Sequence, residues 1–248
     1  MANNPETGHA KNVSNLESLF SFVKGYGEAY NPTRDVIKIP ALEKILANSK
    51  KSIVDIDSFL PPYTNAVSAR ESAFAPLGKL ITRVNSAIKA TDTTENVDES
   101  VKTLVRKLQG TRATAKISEE DKQKLAAEGK EVNQISASQM GYDNRLENLY
   151  KLIMLLTSIP QYNPNEEDLK ISTLTALYED LKAKNSAVVD AYTPLSNARI
   201  ARNEIMYTPL TGLVDIAADT KTYIKSVFGA SSPQYKQVSK LVFKSLDK

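Results

Sequence analysis

The sequence has no cysteine and no tryptophan, a single histidine, and only nine glycines in 248 residues. Without cysteine there is no disulfide, no thiolate nucleophile and no thiolate metal ligand, although the absence selects no compartment. The lone histidine, His9, rules out a histidine metal cluster and a histidine-based acid–base pair. Scarce glycine, beside abundant Ala, Leu, Lys and Glu, favours helices over a turn-rich β sandwich. The longest apolar run, Leu152-Ile153-Met154-Leu155-Leu156, is far too short to span a bilayer. No phosphate loop, nucleophile elbow, dinucleotide fingerprint or inward Glu-x-x-His di-iron pattern occurs. The first residues, Met1-Ala2-Asn3-Asn4-Pro5-Glu6, lack a basic and an apolar signal region, and Ala2 removes a myristoylation motif, so a cytoplasmic address is expected.

What is present is ordinary in amount. Hydrophobic residues make up 41% and charged residues 25%, enough for a packed core. The net charge of +3 comes from 32 basic and 29 acidic side chains dispersed along the chain, which argues against a dedicated nucleic-acid surface.

The informative feature is repetition. Tyr30-Asn31-Pro32 returns as Tyr162-Asn163-Pro164, 132 residues later. The register holds through Lys38/Lys170, Leu42/Leu174, Lys50/Lys182, Pro62/Pro194, Asn65/Asn197 and Arg70/Arg202. One inserted residue then shifts it to 133 at Pro76/Pro209, Leu77/Leu210 and Leu80/Leu213. Such a match marks a duplicated structural unit. The expected organisation is a disordered tail over 1–12, helical repeat 1 over 13–109, a charged linker over 110–134, and helical repeat 2 over 135–248.

Within each repeat the apolar spacing is three and four. Leu16, Leu19, Phe20 and Val23 predict a first helix closed by Gly25 and Gly27, and Leu149, Leu152, Ile153 and Leu156 its counterpart. From Pro40 to about residue 75 the pattern Leu42, Ile45, Leu46, Ile53, Ile56, Leu60, Tyr63, Val67, Phe74 predicts one long helix of roughly 54 Å. Its partner carries Leu174, Leu177, Tyr178, Leu181, Val188, Tyr192, Leu195 and Ile205. Pro62 and Pro194 fall inside these stretches and predict a kink or break in each, more so beside Pro61. Shorter amphipathic helices follow Pro76 and Pro209. The fold expected is therefore all-α: an elongated helical bundle of two tandem homologous repeats with long proline-kinked helices, arranged about a pseudo-twofold axis.

The stretch Ser196-Asn197-Ala198-Arg199-Ile200-Ala201-Arg202-Asn203, with Thr211-Gly212-Leu213-Val214-Asp215 and the ending Tyr223 to Gly229 and Ser232 to Val238, resembles an uncharacterised helical family common in Bacteroidetes genomes. The resemblance covers most of the chain. It implies a bacterial, cytoplasmic protein and supplies no activity, ligand or catalytic residue.

Asn-Ala-x-x-Ala-Arg, at 65–70 and again at 197–202, is the most specific local pattern. The candidate interaction or packing residues are Asn65, Ala69, Arg70, Asn197, Ala201 and Arg202. Small residues on one helix face allow close helix approach, and the arginines would then pair locally with Glu71, Glu204 or a carbonyl. Alternatively, the two arginines bind an anion. Tyr30 and Tyr162 are expected to plug the ends of helical layers, with Asn and Pro supplying turn chemistry. Glu166-Glu167-Asp168 and Glu119-Glu120-Asp121 suit helix N-termini. Lys236, Lys240, Lys244 and Lys248, spaced by four beside Leu241, Val242, Phe243 and Leu246, predict a basic terminal helix, either docked with a solvated lysine face or touching an anionic membrane.

No catalytic, cofactor-binding or metal-binding residue is assigned, and no cofactor. The expected role is a non-catalytic structural, scaffold or protein-interaction protein that self-associates. Its rivals are a helical binding module holding a small acidic or apolar ligand between the repeats, and a peripheral membrane protein. A protein partner or homo-oligomer is expected, with no specific nucleic acid and no transmembrane segment.

Overall fold

The computed structural model describes residues 5–111 and 140–245. Its helices are α1 (Pro5–Gly25), α2 (Ile39–Phe74), α3 (Leu77–Lys89), α4 (Glu95–Gln109), α5 (Tyr142–Thr157), α6 (Ile171–Tyr207), α7 (Leu213–Phe228) and α8 (Pro233–Ser239). Short 3₁₀ turns occur at Gly27–Ala29, Asp35–Ile37 and Glu167–Leu169. Among the described residues there is no strand, and the protein is all-α. The expected linker 110–134 lies, from residue 112 onward, outside the described residues.

Two compact units make up the chain, Met1–Thr64 with Ala191–Lys248, and Asn65–Asp190. Neither coincides with a sequence repeat, because each takes the start of one repeat and the end of the other. In the first unit, Leu16, Leu19 and Val23 of α1 pack with Leu42 of α2, Met206 of α6, Leu213, Ala217 and Ile224 of α7, and Val238 of α8. In the second, Leu149, Leu152 and Leu156 of α5 pack with Ile81, Val84 and Ile88 of α3, Val101 and Leu108 of α4, and Leu174 of α6. The stripes at three and four spacing are the surfaces that these cores bury. Gly110 closes α4 with a left-handed φ of 67°, where a Cβ would meet the Met140 sulfur at 2.7 Å. Ser232 caps α8 by accepting the Tyr235 N–H at 3.1 Å, with Pro233 in the first turn.

Four expectations are corrected. The segment 1–12 was expected to be a disordered tail, but α1 begins at Pro5 and draws its polar residues inward. His9 is 3% exposed, with Nδ1 2.6 Å from the Tyr207 hydroxyl, and Asn12 is fully buried. Neither helix is broken at its prolines, since α2 runs on past Pro61 and Pro62 and α6 past Pro194. A proline leaves the carbonyl four residues earlier without a donor. Here those residues are Asp57, Ser58 and Asp190, all exposed, so water can replace the lost bonds.

The third correction concerns register. Helices α3 and α7 start at Leu77 and Leu213, and their buried positions Leu77, Ile81, Val84, Ile88 and Leu213, Ala217, Thr220, Ile224 correspond at a spacing of 136. The identity of Leu77 with Leu210 is therefore not a structural one. Leu210 lies in an added turn, exposed and with a left-handed φ of 68°. That turn closes on Gly212, whose N–H reaches the Thr208 carbonyl at 2.7 Å. A Cβ there would also lie 2.7 Å from the Thr208 backbone.

Last, the lysine-rich terminal helix stops at Ser239, so Lys240 and Lys244 share no helix face with Lys236, and Lys248 lies outside the described residues. Asn12 takes the Lys244 backbone on both sides, donating to its carbonyl at 2.8 Å and accepting its N–H at 2.9 Å. Asn15 donates to the Val242 carbonyl at 2.6 Å, and Lys221 to that of Leu241 at 2.9 Å. Leu241 and Phe243 pack on the first core, which an amphipathic helix with a free lysine face would not permit.

Candidate binding sites

The two arginines singled out by the repeat belong to different units and have different surroundings. Arg70, near the end of α2, donates from Nη1 to the Asn185 side-chain oxygen at 3.0 Å, and Asn185 in turn donates to Asp143 at 2.7 Å. Its guanidinium also lies 3.9 Å from the centre of the Tyr142 ring. Tyr142 meets Phe74 edge-on at 4.9 Å, and Arg145 stands 5.1 Å from the Phe74 ring while donating to the Phe74 carbonyl at 3.1 Å. Two cations thus flank a pair of rings in the order Arg70, Tyr142, Phe74 and Arg145, an arrangement that gives each half-buried guanidinium a ring face and a neutral hydrogen-bond acceptor. Burial holds the Arg145 guanidinium below its ordinary pKa.

Arg202 is 4% exposed and donates from Nε and Nη2 to the Asn203 side-chain oxygen at 3.1 and 2.9 Å. Its charge draws the Tyr207 phenol down, against burial, which raises it more. Asn65, Ala69, Asn197 and Ala201 are exposed. Ala66 and Ala198 are partly buried, as is Arg70, and Arg202 is buried. Partners of Arg70 were not identified from sequence, because Tyr142 and Asn185 come from the other repeat and follow no local spacing.

The Tyr-Asn-Pro turns are built alike. Tyr30 donates its hydroxyl to the Ile37 carbonyl at 2.6 Å, and Tyr162 to the Leu169 carbonyl at 2.8 Å. Both rings are buried, and burial pushes both phenols up to about 12. Each turn also carries an ion pair to a helix of its own unit that is distant in sequence. Arg34 pairs with Asp219 of α7 in the first unit, and Asp168 with Arg83 of α3 in the second. Of the acidic runs, Glu167 pairs with Lys170 at 2.5 Å, and 119–121 lies outside the described residues.

Two grooves stand out. One, in the first unit, has a volume of about 350 Å³, an aliphatic floor of Val36, Ile45, Ile205 and Ile216, and Lys44 and Glu204 on its rim. The other, in the second unit, measures about 530 Å³ and opens beside Tyr162, Ala87 and Ala90. Among the described residues no group of His, Asp and Glu side chains is placed to hold a metal ion, and no helix is long and apolar enough to cross a membrane. No protein-family model, curated protein or solved structure matches the chain.

Proposed function

We propose that this chain is a non-catalytic helical interaction protein, built from two copies of one duplicated unit whose long helices bend at Pro62 and Pro194, and that it self-associates in a bacterial cytoplasm. The observation that carries this reading is an apolar cluster left in solvent on the first unit. Phe59, Leu60 and Tyr192 are 36, 39 and 46% exposed, and Tyr192 meets Tyr63 ring to ring at 5.5 Å. Large apolar side chains left in solvent are what a contact surface offers. The single histidine, His9, is held by Tyr207 and lines neither groove. Sedimentation velocity over a wide concentration range tests the reading. A dimer that dissociates in Leu60→Lys and Tyr192→Lys supports it, and a monomer at every concentration overturns it.

A second reading has its own observation. The groove of about 350 Å³ takes Val36, Lys44 and Ile45 from the first repeat and Glu204, Ile205 and Ile216 from the second. It suits a small ligand with an apolar body and a polar head reaching Lys44. Protection of Ile45 and Ile205 methyl signals by a fatty acid, lost in Ile205→Lys, would favour it over self-association.

A further inference from the structure

Residues 241–245, which follow α8, lie on the first unit as a bound peptide would. Burial alternates along them: Leu241 and Phe243 pack on the first core, while Val242, 64% exposed, and Lys244 face solvent. That period of two belongs to an extended chain. The strap is held by its main chain. Asn12 and Asn15 of α1 take it at Lys244 and Val242, and Lys221 of α7 takes it at Leu241. The outward side chains of Val242 and Lys244 are therefore free to vary.

The holding residues have the chemistry of a peptide group. Asn12 is fully buried, and its side-chain amide both donates to the Lys244 carbonyl at 2.8 Å and accepts the Lys244 N–H at 2.9 Å. An amide side chain carries the donor and acceptor of one peptide unit, so its complement is the main chain of an extended segment. With the strap away, Asn12 and Asn15 lose those partners, and a buried amide left unpaired costs stability. Lys221 also stands 6.0 Å from the centre of the Phe243 ring, which favours an aromatic side chain there. The strap itself contributes only two partly buried apolar side chains, Leu241 and Phe243. A segment with so few buried contacts detaches while the helices beneath it stay folded.

We propose that Asn12, Asn15 and Lys221 form a binding site for an extended segment of a partner protein, with apolar side chains two residues apart and an aromatic one at the second, and that residues 241–244 fill this site in cis. A second copy would offer only the same residues, and would replace an intramolecular contact by one that carries the cost of association. A different chain gains wherever its contacts extend beyond those of the strap.

The test uses the isotope-labelled full chain carrying Leu241→Ser and Phe243→Ser, which weaken the strap and leave Asn12, Asn15 and Lys221 in place. N-acetyl-Leu-Val-Phe-Lys-Ser-amide should then give saturable shifts of the Asn12 and Asn15 side-chain amides. A peptide of the same composition, N-acetyl-Leu-Phe-Lys-Ser-Val-amide, has no two apolar residues two apart and should bind at least roughly tenfold more weakly. The parent should respond only at far higher peptide concentration, since its own strap competes from within. Adding Asn12→Ala to the strap variant should abolish the shifts. In the unaltered chain, the Lys244 N–H should exchange with solvent faster than the buried amides of α1 and α7. An unmoved strap variant, equal binding of the two peptides, shifts that survive Asn12→Ala, or Lys244 exchange in step with the core would overturn the proposal. A parent dimer that the peptide dissociates would overturn the foreign partner, because the strap of a second copy would then be the occupant.

Discussion

The guanidinium carbon of Arg70 lies 3.9 Å from the centre of the Tyr142 ring, and the same group donates to Asn185 at 3.0 Å. One arginine of α2 thereby ties α5 to the first half of α6. The arginine that matches it in sequence, Arg202, has a different set of partners, with Asn203 taking two of its nitrogens. The same letters thus stand in two different surroundings.

Replacing Arg70 with Lys keeps the charge and removes the planar fork. Stacked and partly buried cation–ring contacts contribute about 0.5–2 kcal/mol, and the hydrogen bond about 1 kcal/mol more. Urea denaturation should therefore show Arg70→Lys less stable by ~1–3 kcal/mol. Ala69→Leu and Ala201→Leu, expected from sequence to overpack a crossing, should stay within about 0.5 kcal/mol of the parent, because both alanines are exposed. A Leu variant that melts as early as Arg70→Lys would contradict this assignment.

Tyr30→Phe and Tyr162→Phe each leave a buried carbonyl without its donor, at Ile37 and Leu169. Each should cost ~1–2 kcal/mol, with similar losses in the two copies because the bonds are the same. Both variants should also blunt the alkaline response. Each phenol is raised from 10.0 to about 12, chiefly by burial, so the native state holds its proton more tightly than the unfolded chain does. The associated stability is fully present below pH 10 and is lost as pH climbs towards 12. Denaturation midpoints measured across that interval check the sign, and a midpoint that rises with pH would refute it.

Much of the helical plan is legible because it is written locally. Leu149, Leu152 and Leu156 announce a buried face to any reader of period 3.6. The N-terminal tail was not legible, since His9, Asn12 and Asn15 look like solvent-exposed residues. Their burial depends on Tyr207, Val242 and Lys244, some two hundred residues away, and such pairs leave no periodic trace. The lysines at 236, 240 and 244 gave a convincing helical period that the backbone does not follow, because Asn12 and Asn15 capture it first. Likewise Pro76 and Pro209 match as letters. The added turn closed by Gly212 displaces the helix that follows, so the register inferred from identity misplaces Tyr223 against Ala90 instead of Ala87.

Pro194 sits inside α6 without interrupting it. A proline at a helix interior costs up to about 3 kcal/mol relative to alanine, and here part of that cost is relieved because the Asp190 carbonyl can turn to water. Pro194→Ala should restore the amide donor and raise stability by ~1–3 kcal/mol, seen as an upward shift of the thermal midpoint. If the variant is less stable, Pro194 contributes packing that outweighs the missing bond.

The turn-to-helix ion pairs allow a sharper test, because the two units carry them with opposite polarity. In the first the turn supplies the cation, Arg34, and the helix the anion, Asp219; in the second the turn supplies Asp168 and the helix Arg83. Arg83 reaches Asp168 with both terminal nitrogens, the better geometry for a surface pair. Both side chains are half exposed, at 53 and 50%, so solvent screening limits the pair to ~0.2–1 kcal/mol. Arg83→Asp alone sets two carboxylates together, and Asp168→Arg alone two guanidiniums, so each single variant should lose more than the pair itself contributes. The double exchange gives the second unit the polarity of the first and should recover most of that loss. Adding salt to ~1 M contracts screening to about 3 Å and should shrink the coupling. Single losses that simply add in the double variant would show that these two charges do not interact.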